Sequence, residues 1–275
     1  MSTSTTAPAF SGSVPKTYHD YLGPMIFDAY AKDMVVRLAP ILKAKPNSRI
    51  LELAAGTGIV TNLIAQSLPG GASLLATDIS EPMLNLARNN FKGAPGVTFQ
   101  VADACTLPCA DKSFDLIVCQ YGVMFFPDKV QAMKEARRVL APGGTYFFSI
   151  WDALEHNPIP RTAHETLAAL LPTNPIPFLA KLPFGYSDRA EIERAASAGG
   201  FANIKLETIA FPCSAPNASD AARAWIDGTP IFAGLTERGI PDPAPFRAAV
   251  EKALTTKFGA APCKSTMQAI VATVS

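Results

Sequence analysis

Three carboxylates stand at regular stations along the first part of the chain. Glu52 closes the run Arg49-Ile50-Leu51, Asp78 follows Ser73-Leu74-Leu75-Ala76-Thr77, and Asp103 follows the run Val97 to Val101. The segment Glu52-Leu53-Ala54-Ala55-Gly56-Thr57-Gly58 has glycines that permit a tight strand-to-helix turn and a close ligand approach, and the helix beyond it offers free N–H groups. Asp78 lies twenty residues past Gly58, where the end of a second strand can accept hydrogen bonds from the two hydroxyls of a ribose. A lone Gly-x-Gly is equally well a simple turn, but its conjunction with Asp78 and Asp103 points to a nucleoside-bearing ligand. A dinucleotide makes similar demands, yet the third glycine of Gly-x-Gly-x-x-Gly falls at the β-branched Thr61. Glu52 adds a second contrast, because an acid at the end of the first strand suits a ligand ammonium and is poorly suited to a pyrophosphate.

Bringing these acids to one rim requires parallel strands with helices between them. A leading helix is predicted from Asp28 to Leu42, where Met34, Val35, Leu38, Ile41 and Leu42 recur at helical spacing. A strand is expected over Arg49 to Ala54, then a helix through Ile59, Val60, Leu63, Ile64 and Leu68 that Pro69-Gly70-Gly71 stops. A second strand runs from Ser73 to Asp78, and Ser80 caps a helix of about Glu81 to Asn90. Strand-like runs recur at Val97 to Val101 and Phe114 to Cys119. A helix follows from Asp128, which forms a capping-box pattern with Gln131, and Gly143-Gly144 leads into the strand Thr145 to Trp151. Short buried strands alternating with amphipathic helices predict an α/β, doubly wound, mostly parallel sheet whose ligand crevice lies at the carboxyl ends of its strands.

Composition bounds the partners. The chain has 275 residues, 48% hydrophobic and 17% charged, which excludes a solvated disordered chain and suits one large domain. Lys plus Arg is 24 against 23 Asp plus Glu, a net +1, so no field draws the protein to nucleic acid or to an anionic membrane. Cys105, Cys109, Cys119, Cys213 and Cys263 make an odd count with no C-x-x-C pair, which argues against a disulfide framework and against a metal site. They are read as reduced thiols. No stretch approaches the length of a membrane-spanning helix, and MSTSTTAPAFSGSVPK lacks a basic n-region followed by an apolar h-region, so a cytoplasmic location is expected. Residues 1–15 are expected to be disordered, residues 16–151 to form the ligand-binding core with its leading helix, and residues 152–275 to supply insertions and closing strands of the same domain.

The stretches ILELAAGTG (50–58), LLATDISEPMLNLAR (74–88), VADACTLP (101–108), SFDLIVCQYGVMFFPD (113–128) and EARRVLAPGGTYFFSIW (135–151) resemble the class I S-adenosylmethionine-dependent methyltransferases. The resemblance is to their bacterial small-molecule branch, with a methyltransferase-11-like domain. It implies a Rossmann-like seven-stranded sheet with the last strand antiparallel and a helical cap. It also implies S-adenosylmethionine as cofactor, S-adenosylhomocysteine as product and a small-molecule methyl acceptor. Carried over by position, Glu52 and the turn at Ala54, Gly56, Thr57 and Gly58 would hold the methionine moiety. Asp78 would bind the ribose, Ile79 would pack on the adenine, and Asp103 with Ala104 would read the adenine edge. Gln120 and Tyr121 would line the methyl-transfer face, and Met83 and Tyr21 are further implied cofactor contacts. Ala54 departs from the glycine usual there, and its methyl is small enough to be tolerated.

Methyl transfer from a sulfonium requires alignment and water exclusion, with proton removal for some acceptors, so no fixed triad is expected. Tyr121 and His156 are the candidates for a catalytic role. The segment Cys119-Gln120-Tyr121-Gly122 lacks the Asn/Asp-Pro-Pro-aromatic signature of amino-directed nucleic-acid methyltransferases. Beyond Trp151, helical patterns are expected at Arg161 to Leu171, Ala221 to Ile226 and Phe246 to Leu254, with a closing strand at 267–274. Aromatic and aliphatic residues there suit either an apolar acceptor pocket or packing of the cap on itself. The expected assembly is a monomer or homodimer. Alternatives are a non-catalytic module that binds the cofactor or its product and an NAD-dependent oxidoreductase.

Overall fold

The computed structural model describes residues 10–275. Of the residues expected to be disordered, 1–9 lie outside the described residues, while Val14 and Pro15 open the first helix and are buried. The chain runs α1 (Val14–Thr17), a π-helical segment Tyr18–Phe27, α2 (Asp28–Ala44), β1 (Arg49–Glu52), α3 (Ile59–Ser67), β2 (Ser73–Asp78), α4 (Glu81–Asn90), β3 (Val97–Val101) and β4 (Phe114–Gln120). There follow α5 (Lys129–Val139), β5 (Leu140–Trp151), α6 (Pro158–Leu170), α7 (Phe178–Lys181), α8 (Arg189–Ala198) and β6 (Ile204–Ala215). The last elements are α9 (Ala218–Asp227), α10 (Ile231–Thr236), α11 (Ala244–Phe258) and β7 (Cys263–Val274).

The seven strands lie in the order β3-β2-β1-β4-β5-β7-β6. Neighbours from β3 to β5 are parallel, and β7 runs antiparallel to β5, pairing Tyr146 with Val274 and Trp151 with Ala269. The strand order reverses between β1 and β4, so a crevice is expected where Glu52 and Gln120 end those two strands.

The described chain divides into two compact units. One comprises Tyr30–Trp151, Tyr186–Ile209 and Ala269–Ser275. In it Ile50, Leu74, Leu116, Val118 and Phe147 pack against Ala31, Met34, Leu38 and Leu42 of α2 and Val60 and Ile64 of α3. Tyr146 and Phe148 alternate with Phe147 and therefore face the opposite way, where Tyr146 meets Phe201 at a centroid distance of 6.1 Å. Sheet residues buried on both faces account for the near-continuous apolar runs of β1 and β4. At the amino end of β4, buried Asp115 accepts from the Arg49 N–H at 2.9 Å, from Arg49 Nε at 3.1 Å and from Lys45 Nζ at 2.6 Å. Burial alone would raise this carboxyl, but the two cations reverse the effect and hold it well below the usual carboxylate range.

The other unit comprises the described residues up to Ala29 with Asp152–Gly185 and Ala210–Gln268. It is built largely on α6, α9 and α11. Arg247 pairs with Asp227 at 2.7 Å between α11 and α9, and Lys257 with Glu165 at 3.7 Å between α11 and α6. Fully buried Asn157 donates to the carbonyls of Asp152 and Ala153 and accepts from the Gln268 N–H. Trp225 is buried with Phe184 at a centroid distance of 6.3 Å.

The differences from expectation are local. β1 ends at Glu52 because Ala54 takes a left-handed backbone with φ +53°. The helix expected from Arg161 begins at Pro158, since prolines are accepted in a first turn whose N–H groups have no partner in the helix. Asp128 caps α5 by accepting from the Gln131 N–H at 2.9 Å. The Gln131 amide departs from the capping-box pattern and donates to the Cys105 carbonyl at 3.3 Å.

Candidate active site

The site begins at the end of β1. Glu52 is 2% exposed, and its Oε2 accepts from the Thr61 hydroxyl on α3 at 2.6 Å. Burial pushes its carboxyl up to about 8, against the Thr61 hydrogen bond and with the help of the nearby Asp78 charge. The position where a dinucleotide turn would carry glycine thus bears the hydroxyl that braces Glu52. The residue type at 61 was legible in the sequence; this contact was not foreseen.

Beyond Glu52 the backbone enters the left-handed region at Ala54, Gly56 (φ +57°) and Gly58 (φ +81°). Gly58 caps α3 without a side chain, and a Cβ there would lie 3.1 Å from the Ala87 Cβ. Thr57 between the glycines is buried. The Gly56 N–H donates to Asp78 Oδ2 at 2.8 Å, and the Ser80 N–H donates to Asp78 Oδ1 at 2.8 Å. Burial raises the Asp78 carboxyl, while backbone N–H groups from Ser80, Gly56 and Ile79 oppose the rise. Ser80 accepts from the Met83 N–H and so caps α4, as its sequence position predicts. Buried Met83 brings its Cε to 3.6 Å from where a Cβ on Gly56 would stand. Ile79 is 54% exposed, an apolar side chain left in solvent beside a buried acid.

Asp103 follows β3 in a loop tied to Asp78 by the Ala102 N–H, which donates to the Asp78 carbonyl at 3.0 Å. Asp103 Oδ1 accepts from the Cys105 N–H at 2.8 Å, and Ala104 between them is buried. At the end of β4, Gln120 pairs in register with Ser149. Tyr121 has φ +57° and donates its N–H to the Ser149 carbonyl at 2.9 Å. Its ring stacks on Trp151 at a centroid distance of 3.8 Å and an interplanar angle of 9°, and Tyr30 meets both rings edge-on at 5.6 and 5.1 Å. Sequence reasoning missed Tyr30 and Trp151 as companions of Tyr121, since only the tertiary fold brings residues 30, 121 and 151 together.

Glu52, Ala54, Gly56, Thr57, Gly58, Asp78, Ile79, Met83, Asp103, Ala104, Gln120 and Tyr121 therefore fall at or just beyond the carboxyl ends of β1 to β4, all within one unit. Tyr21 and His156 belong to the other unit. Tyr21 carries the Arg223 guanidinium over its ring at 5.0 Å. His156 is exposed, with Nδ1 3.4 Å from Asp152 Oδ2, and Asp152 also accepts from Gln268 Nε2 at 2.6 Å. Among the described residues no group of three or more His, Cys, Asp or Glu side chains is placed to hold a metal ion. None of the helices in the described residues is long and apolar enough to cross a membrane.

Residues 51–148 match the family described as "Methyltransferase domain". This stretch of the chain is a methyltransferase domain. The chain is 33% identical over 162 residues to malonyl-(acyl-carrier protein) O-methyltransferase of Methylococcus capsulatus, covering 59% of this chain and 54% of that one. It is 35% identical over 151 residues to demethylmenaquinone methyltransferase of Thermus thermophilus, covering 54% and 66% respectively. The chain thus spans about half to two thirds of the length of these relatives. Among solved structures, the YcgJ protein of Bacillus subtilis shares the fold with a TM-score of 0.57 over 87% of this chain and 96% of that one, at 18% identity. The sequence resemblance implies S-adenosylmethionine as the cofactor of this domain. The donor set fits it: buried Glu52 matches a ligand ammonium, Asp78 matches hydroxyls, and exposed Ile79 matches a planar apolar ring.

Proposed function

We propose that this chain transfers the methyl group of S-adenosylmethionine to a small-molecule acceptor by in-line displacement, releasing S-adenosylhomocysteine. The observation that carries the reading is Glu52, a carboxylate buried at the end of β1 beside a left-handed glycine turn and acted on by the Thr61 hydroxyl and the Asp78 charge. Neither neighbour brings the positive charge that would favour its ionised form, so a ligand ammonium is the natural counterion to draw the proton off.

In this reading Glu52 and the turn at Ala54, Gly56, Thr57 and Gly58 hold the methionine end. Asp78 accepts from the backbone N–H groups of Gly56, Ser80 and Ile79, which orient its carboxylate to accept from the ribose hydroxyls as well. Ile79 gains burial against the adenine, Met83 backs Gly56, and the second oxygen of Asp103 reads the adenine edge together with the Ala104 backbone. Gln120 lines the methyl-transfer face. The bound cofactor supplies an electrophilic methyl on a sulfonium, which leaves the protein to align the acceptor, exclude water and accept a proton where the acceptor carries one. Three acids on one rim also favour a cationic cofactor over an anionic dinucleotide.

One relative is named for demethylmenaquinone, which supports a small metabolite as acceptor, and another for a malonyl group on acyl-carrier protein. Four of the five cysteines are buried as free thiols, which supports work in the reducing cytoplasm.

Calorimetric titration with S-adenosylmethionine, S-adenosylhomocysteine and NAD in parallel tests the reading. The first two are expected to bind and NAD is not. Asp78→Ala is expected to weaken cofactor binding by about 1–3 kcal/mol. A labelled methyl appearing on members of a small-molecule panel separates an enzyme from a binding module. Binding of NAD alone, or unchanged affinity in Asp78→Ala, overturns the site.

A further inference from the structure

We propose that Trp151 is a positioning residue for the glycine-rich turn, acting through Tyr121 and Gly122 on Ala54. The inference rests on the reading of that turn as the cofactor site.

Two non-glycine residues at the carboxyl rim have left-handed backbones, Ala54 with φ +53° and Tyr121 with φ +57°. Such conformations persist only where the surroundings over-determine them. The two are linked. Gly122 lies so close to the first turn that a Cβ on it would stand 2.4 Å from the Ala54 Cβ and 2.6 Å from Cys119 Sγ. The turn after β4 is therefore seated directly on the turn after β1, and any shift of Tyr121 and Gly122 is passed to Ala54.

Tyr121 is held in turn by its ring. Trp151 provides a parallel stacking surface at 3.8 Å, Tyr30 closes the edges of both rings, and all three side chains are buried. The Tyr121 N–H is fixed to the Ser149 carbonyl two residues before Trp151, so backbone and ring of residue 121 are anchored to the same stretch of β5. Trp151 thus fixes the shape of a site through two intermediate residues.

The test is calorimetric titration of S-adenosylmethionine into the full chain carrying Trp151→Leu, Trp151→Phe, Tyr121→Ala or Tyr121→Gly, with thermal unfolding of each variant to establish that it is folded. Trp151→Leu is expected to weaken binding about tenfold and Trp151→Phe, which keeps a stacking face, no more than about twofold. Tyr121→Ala and Tyr121→Gly delete the same ring, but glycine adopts a positive φ without strain, so the alanine variant is expected to lose about tenfold and the glycine variant at most about threefold. A purely structural role would lower the unfolding temperature of both tyrosine variants and leave their affinities alike. Equal affinities for Tyr121→Ala and Tyr121→Gly, or wild-type affinity in Trp151→Leu, overturns the proposal. Should Trp151→Leu fail to fold, the tyrosine pair decides. If the wild type binds and the variants match it, this inference alone falls; a wild type that binds no cofactor overturns the functional reading and this inference with it.

Discussion

Burying a carboxyl group beside a second acid disfavours its ionised form, and Glu52 is pushed up to about 8 chiefly for the first reason. Because this folded value lies above the unfolded one of 4.5, the unfolded chain sheds the proton first as pH rises. The group's contribution to stability is therefore greatest below about 4.5, falls between there and about 8, and is flat above. Glu52→Gln should accordingly raise the unfolding temperature of the ligand-free protein at pH 8.5 and alter it less at pH 5, as thermal scans at the two values will show. The same change should weaken cofactor binding by about 1.5–3 kcal/mol, the usual worth of a hydrogen bond to a charged group. The gap in affinity between wild type and variant should widen as pH rises towards 8, where the ionised carboxylate becomes available to the ligand. Of this, the acid and its suitability for an ammonium were legible in the sequence. The Thr61 brace was not, because periodicity puts residue 61 on a helix without saying which strand end its hydroxyl meets.

The two turns that follow β1 and β4 behave as one mechanical piece. Gly122→Ala would drive a methyl into the Ala54 Cβ and Cys119 Sγ, and overpacking of this kind costs about 1–3 kcal/mol. Ala54→Gly removes one of those obstacles and a strained φ, so the double variant should recover part of the loss; denaturant unfolding of both singles and the double measures the coupling. The strands themselves were readable to within a few residues at most boundaries, since runs such as Arg49 to Glu52 and Phe114 to Gln120 are apolar and bounded by glycine, proline or charge. β5 was not, for it begins at Leu140 and passes through Pro142-Gly143-Gly144, residues that read as a break. The π-helical segment Tyr18–Phe27 and the left-handed Tyr121 were equally hidden. The first turns on which carbonyl each N–H chooses, as when the Asp28 N–H donates to the Gly23 carbonyl, and the second on a stack between residues 30 apart in the chain.

At the scale of the molecule, a net charge of +1 hides a local excess of acid at one rim, where Glu52 and Asp78 end β1 and β2 and Asp103 follows β3. Long-range steering should be weak, and attraction for a cation confined to the crevice, within about a Debye length. A ligand that binds only the folded state stabilises it by about 2.7 kcal/mol at a hundredfold excess over its Kd. S-adenosylmethionine at such an excess should therefore raise the unfolding temperature, and NAD at the same concentration should leave it unchanged. Hydrogen exchange should slow most at amides 54–58, 80–83 and 104–106, and protection spread evenly along the chain would contradict the assignment of the rim.

The fold itself holds Asp78 through backbone N–H groups of Gly56 and Ser80. The loop therefore has no folding of its own to complete when a cofactor arrives. Capture should run as fast as collision and the stripping of water allow, and the tempo of turnover would then be set later, at the acceptor or at product departure.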